Sequence, residues 1–290
     1  MSPASGDITA ALTVACAEFW RTYYGAMLRL HNRSGRSLTD AIRDRNLGTT
    51  DSRHIAVFER FWRKQLALAL GVPESEVGPR RIRFRPHRSK AFDVCWPLIG
   101  EPKILISIKS MQNAYRNLTN RIEEAIGDSA VLRLYNSSAV FGFFFFILNG
   151  RVASGQSGQG VSLRTTGARG VAPYLDLIEE GGDFFDLSDV DRYRRPAAAG
   201  PARTRGRQDT VRVAEQSLLD LLATGPTPQA SIHYDGIAFA PTRITRLHPD
   251  GADPDVWEAT MSAVDERLGH QVFLSRLIAS ARLRGFIEGL

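Results

Sequence analysis

The chain has 290 residues, 43% apolar and 23% charged, with a formal net charge of +6. This describes an ordinary globular protein with a sizeable core, built as one elaborated domain or two small ones. Two cysteines, Cys16 and Cys95, without CxxC or Cys/His spacing, argue against a disulfide framework and a structural zinc site. No charged-then-apolar leader opens the sequence, and its longest apolar run, residues 139–148, is too short to span a bilayer as a helix. A cytoplasmic protein with no membrane partner is expected.

In chain order, residues 8–30 read as an aromatic-rich helix with Phe19, Trp20, Tyr23 and Tyr24, and 36–53 as a polar loop with a short helix. Residues 54–70 predict an amphipathic helix, with Ile55, Phe58, Trp62, Leu66 and Leu70 on one stripe. Gly71-Val72-Pro73 ends it. The run from Arg80 to Lys90 then holds six positive charges and no acid, nearly the whole net excess. Its basic residues alternate with Ile82 and Phe84, which suits a strand with one face on the core. Residues 92–97 and 103–109 are β-rich and flank a Gly/Pro turn, the pattern of a hairpin. Such a hairpin brings Asp93 close to Lys109.

Residues 116–126 read as helix. At about 100° per residue, Leu118, Ile122 and Ile126 share an apolar stripe, while Arg116, Asn120 and Glu123 share a separate polar face. On this reading Glu123, and not Glu124, turns toward Lys109. The apolar run 139–148 predicts a buried central strand. Residues 150–170 keep no hydrophobic period; a Gly/Ser/Gln/Arg/Thr loop of this kind either stays on the surface or orders on a duplex, with Arg164 and Arg169 as base-edge readers. Residues 172–180 suggest a short helix, and 192–207 carry six arginines among Pro and Ala, a basic linker or arm. Beyond it, 211–223 read as helix, 231–245 as strand, and 255–268 and 271–287 as helices. His233-Tyr234-Asp235 reads as packed strand. The expected organisation is a core over 1–190, a linker over 191–210 and an α/β extension over 211–290, which can belong to the same domain.

Asp93, Lys109 and a second acid on the following helix form a set that suits phosphodiester hydrolysis. That reaction needs a hydroxide, neutralisation of the phosphate charge and a proton for the leaving oxygen. Mg²⁺ supplies much of this and favours a site with one or two carboxylates and several waters. Lys109 suits the role of orienting or deprotonating the attacking water while offsetting phosphate charge. The basic run leads directly into Asp93, so Arg81, Arg83, Arg85 and Arg88 are read as contacts to DNA phosphate, against the alternative of a charged, solvated edge strand.

The pattern Asp93…Ser107-Ile108-Lys109 resembles the PD-(D/E)xK nuclease superfamily, over about residues 59–148. Phe92 stands where that motif has proline, and Ser107 where it has its middle acid. In restriction endonucleases that cut CCGG-core sites, the motif reads Ser/Thr-x-Lys, and a glutamate fourteen residues past the lysine replaces the missing acid. Here that position is Glu123. The resemblance implies an α/β fold with a restriction-endonuclease-like mixed sheet flanked by helices, extended by helices at both ends. It implies a Mg²⁺-dependent type II restriction endonuclease acting on double-stranded DNA as a homodimer or higher oligomer. Asp93 and Glu123 would hold metal, Ser107 would support them and Lys109 would manage the water. Glu59, on an early helix, is the further candidate ligand. Arg116 lies seven past Lys109, where those enzymes read guanine, but Asn113 and Tyr115 replace their other two reading residues. Asn113, Arg116 and Asn120 are accordingly expected at the DNA, without a CCGG assignment. A structure-selective repair nuclease of the same superfamily and a non-catalytic DNA-binding protein on a nuclease fold are the alternatives.

Overall fold

The computed structural model of the chain describes residues 5–34, 53–84, 88–111, 117–136, 138–148, 206–222, 233–246 and 257–287. In chain order these form helices α1 (Ser5–Ser34) and α2 (Ile55–Leu70), strands β1 (Gly78–Phe84), β2 (Arg88–Trp96) and β3 (Ile104–Met111), and helix α3 (Asn117–Tyr135). Strand β4 (Val140–Leu148), helix α4 (Gly206–Leu221), strands β5 (Gly236–Arg246) and β6 (Trp257–Met261) and helix α5 (His270–Leu283) follow.

The six strands make one mixed sheet in the order β1-β2-β3-β4-β5-β6. Strands β1, β2 and β3 form an antiparallel meander, β3, β4 and β5 run parallel, and β6 returns antiparallel. Parallel neighbours need crossovers, and α3 and α4 lie between β3, β4 and β5 in the sequence. The expected hairpin is therefore present as β2–β3, and the Phe-rich run is an interior strand. The mixed α/β architecture matches the expectation. No helix among the described residues is long and apolar enough to cross a membrane.

Strand β4 is buried on both sides from Val140 to Ile147. Its even residues, including Phe144 and Phe146, join a core formed with α1, α2 and α5; its odd residues, Phe141, Phe143, Phe145 and Ile147, join a second core with α3 and α4. The period-two alternation of a strand splits one aromatic run between two layers. On the first face, Phe58 and Trp62 of α2 meet Phe144 edge-on at 5.0 and 5.2 Å. Gly71 closes α2 in the left-handed conformation, φ 67°, and the N–H groups of Gly71 and Val72 return to the carbonyls of Leu68 and Ala67.

One segment differs from the sequence expectation. Residues 255–268, expected as helix, hold strand β6, a loop and a 3-10 turn over Glu266–Leu268. Glu258 and Thr260 are exposed while Ala259 is buried, an alternation that only pairing with β5 makes meaningful. The C-terminal third also builds onto the same sheet, because β5 pairs along β4 and α5 packs its Phe273, Leu274, Leu277, Ile278 and Ala281 into the first core. The residues 36–52, 150–170, 172–180 and 192–205 that the sequence reading assigned lie outside the described residues.

Asp235, just before β5, is buried and fully partnered. Its carboxylate accepts from the Phe141 N–H at 2.7 Å and pairs with Arg133 of α3 at 3.0 Å and with Arg284, just past α5, at 2.5 Å. Tyr234, also buried, donates its hydroxyl to the Ala125 carbonyl at 2.9 Å. The packing expected at Tyr234 and Asp235 is present, but the strand begins only at Gly236 and Tyr234 makes a single bridge to Leu222.

Gly142 and Gly236 are register partners in β4 and β5. A Cβ on Gly142 would lie 2.9 Å from Phe273 and 3.0 Å from Leu277, and one on Gly236 would lie 3.0 Å from Leu277. Gly142→Ala should therefore overpack the core and cost about 1–3 kcal/mol. Gly127→Ala, within α3 and with nothing within 4 Å of the added carbon, should stabilise by up to about 1 kcal/mol. Urea unfolding midpoints of the two variants would check the opposite signs.

Candidate active site

Strand β2 carries one residue too many for its partner. Gly78 pairs with Cys95 and Arg80 with Phe92, so two steps along β1 match three along β2. The extra residue is a β-bulge at Asp93-Val94, a device that bends a strand and re-aims its side chains. It also changes which face the strand addresses. Phe92 joins the α3-side core and Val94 the α2-side core, though both are even-numbered. Pairing between β2 and β3 covers only Val94–Trp96 against Ile104–Ile106. Just past it, the Ile108 N–H donates to Asp93 Oδ2 at 2.6 Å. A carboxylate takes a backbone donor where the ladder stops.

Asp93 is within electrostatic reach of both faces. Burial pushes its carboxyl above the usual range, against the pull of the Ile108 N–H and the positive charges of Lys109 and Lys90. Glu59, from α2, is likewise raised, first by burial and then by the negative charge of Asp93. Two partly desolvated carboxylates thus lie near enough for the charge of one to disfavour that of the other.

Lys109 lies on the α3 side of β3. Its Nζ contacts Glu124 Oε1 at 2.6 Å, and the other oxygen of Glu124 takes Arg121 at 2.6 Å. Burial alone would raise Glu124, but these two cations outweigh it and hold the carboxyl below its ordinary value. One turn further along α3, Asp128 pairs with Lys90 of β2. Burial and then the neighbouring charge of Lys109 push Lys90 down to about 8. Ser107, two residues before Lys109, is buried.

The structure turns Glu124, not Glu123, toward Lys109. Glu123 is exposed, and the sheet-facing stripe of α3 runs through Ala125, Ser129 and Leu132 with Ile122 beside it, leaving Ile126 exposed. At about 100° per residue, Glu123 lies about 160° from Ala125, on the far side of the helix, while Glu124 flanks the buried stripe. The physical reason is volume. Phe141, Phe143 and Phe145 crowd this face of the sheet, and α3 meets them in the same core with Ala125 and Leu132. A search for large apolar residues at helical spacing selects the wrong stripe.

Among the described residues, no three His, Cys, Asp or Glu side chains converge as a ready metal cage. Among the described residues, Asp93 and Glu59 form no ion pair with a lysine or arginine, whereas Glu124 is committed to Lys109. Of the expected DNA contacts, Arg81 and Arg83 are exposed on β1, with Arg81 donating to Ser89 Oγ at 3.1 Å. Arg85, Asn113, Arg116, Arg164 and Arg169, and the side chains of Arg88 and Asn120, lie outside the described residues. The sequence reading missed Lys90, Glu124 and Asp128 as site residues. A signal existed: Lys90 stands two before the inward-facing Phe92, and Glu124 and Asp128 are four apart around small Ala125 and Gly127. No family model matches the chain, and neither a curated protein nor a solved structure matches it.

The raised carboxyl of Asp93 has a consequence for stability. Below the ordinary value of about 4 the group is protonated in both folded and unfolded chains. As pH rises through the window up to the raised folded value, the unfolded chain ionises first, and the folded chain loses stability relative to a neutral side chain. Asp93→Asn, which can still accept from Ile108, should melt at or above the wild-type temperature at pH 7 and show no such gain at pH 3. Thermal melts across pH would check this; a variant clearly less stable at pH 7 would contradict it.

Proposed function

We propose that the chain is a Mg²⁺-dependent endonuclease of the PD-(D/E)xK kind that cuts double-stranded DNA. The observation that carries this reading is the convergence of Asp93 and Lys109 where β2 and β3 part. There Asp93 receives the Ile108 N–H and Glu59 approaches from the other layer. Ser-x-Lys in place of acid-x-Lys favours type II restriction, with cutting at a short specific site, as the biological role.

The donor set fits the metal by its chemistry. Two hard oxygen ligands, Asp93 and Glu59, both held above their ordinary range by burial, suit a Mg²⁺ that keeps several waters. When bound, the metal would supply neutralisation of the phosphate and a water of lowered pKa. Lys109 would hold the attacking water and offset charge on the phosphate, an ammonium preorganised in a partly dry site. Glu124 and Arg121 would position that ammonium. Glu124 thus serves as a positioning residue, a different role from the metal ligand that the resemblance placed at Glu123 on the same helix. Arg81 and Arg83, exposed on the edge strand, would track the backbone. Cutting both strands of a palindrome calls for two copies related by a two-fold axis, so the proposal extends to a homodimer or higher oligomer.

Supercoiled plasmid incubated with the protein and Mg²⁺ should give discrete linear fragments. Lys109→Ala and Asp93→Ala should each cut at least about 100-fold more slowly, with folding retained. Glu124→Gln should slow cutting clearly more than Glu123→Gln. A plasmid left intact by the wild type across divalent metals, or Lys109→Ala cutting at the wild-type rate, would overturn the assignment. Smearing or cutting confined to branched DNA would move it to the repair-nuclease alternative.

A further inference from the structure

We propose that Lys90 is a second phosphate-contacting residue, held in the free protein by Asp128 and handed to the DNA backbone when the duplex docks beside Lys109. The identity of the anion rests on the nuclease reading above; the arrangement of charges does not.

Lys90 comes from β2 and Lys109 from β3, and both lie on the face covered by α3. Each is paired with an acid of α3, Lys109 with Glu124 and Lys90 with Asp128, and these acids are four residues apart on successive turns. The lysine side chains are each 20% exposed, so both remain within reach of solvent and of a docking ligand. The register pairs Lys90 with Ile82, so both lie on the α3 side, while the exposed Arg81 and Arg83 alternate onto the opposite face of β1.

Energetics also separate this pair from a structural ion pair. Asp235 has both carboxylate oxygens engaged, one by Arg133 and one by Arg284. Lys90 instead senses the charge of a second lysine, and burial together with that charge lowers it to about 8 against the pull of Glu124 and Asp93. Two ammonium groups brought together in a partly dry site favour an added anion. Exchanging Asp128 for a phosphate oxygen would keep Lys90 paired while releasing counterions from the duplex.

Anisotropy of a fluorescein-labelled DNA duplex, titrated with the full-length protein in EDTA across a salt series, tests this without cleavage. Lys90→Met should weaken binding by roughly three- to tenfold and lower the slope of log affinity against log salt by about one. Lys90→Arg should keep most of the affinity. Asp128→Asn, which frees Lys90, should bind a few-fold more tightly, and Lys90→Met with Asp128→Asn should bind like Lys90→Met alone. Unchanged affinity and slope for Lys90→Met would overturn the proposal. Equal weakening by Asp128→Asn and Lys90→Met, with lowered melting temperatures in both, would overturn it in favour of a purely structural pair. If the wild type binds duplex and cuts it while Lys90→Met is unaffected, the nuclease reading stands and only Lys90 falls. If the wild type binds no duplex at all, both fall.

Discussion

Strand β4 has no side that faces water, and most of the architecture answers to that constraint. An aromatic run buried on both faces needs a covering layer above and below, and it cannot lie at a sheet edge. Strands β3 and β5 supply its two neighbours, α1, α2 and α5 one cover, α3 and α4 the other. The constraint reaches the candidate site through α3. Bulky Phe143 and Phe145 admit a helix only where it offers small residues, and the phase thus imposed sends Glu124 and Asp128 to the lysines of β2 and β3. Core packing chooses which acids meet the cations.

Two buried aspartates show how differently one residue type is used. Asp235 has two arginines and a backbone N–H, and breaking such a pair from one side is expensive because a buried charge is left alone. It ties the starts of β4 and β5 to α3 and to the segment after α5. Asp93 has the Ile108 N–H and the charges of Lys109 and Lys90 without an ion pair to either, and burial still leaves its carboxyl raised. A fold that merely needed a strand end there would do better with Asn. The poorly compensated carboxyl is what makes Asp93 the candidate of the proposed function, since sites for reactive chemistry are where such unfavourable groups collect.

The legible parts of the fold were those written in local pattern. The stripe of Phe58, Trp62 and Leu66, the aromatic run of β4 and the Gly/Pro turn between β2 and β3 each carry their periodicity within a few residues. From these, the approach of Asp93 to Lys109 follows. What was not legible depends on partners far away in sequence. The bulge at Asp93-Val94 has no residue signature and exists only against β1. Strand β6 reads as helix until β5 is placed beside it. The α3 stripe of Ala125 and Ser129 is invisible to a hydrophobicity count, because its merit is smallness against the phenylalanines of β4. Glu124 was displaced from the reading for that reason alone.

The paired glycines of β4 and β5 bear on the order in which the chain can complete itself. Gly142 and Gly236 lie side by side and leave a trough whose fillers, Phe273 and Leu277, belong to the last described helix. During synthesis the trough is laid down well before its occupants emerge from the ribosome. Until they do, a strip of bare backbone and apolar side chain stays open to water in the middle of the sheet. Closure of that strip also carries Arg284 to Asp235. The central strands β4 and β5 are therefore completed only by a helix that follows them in the chain.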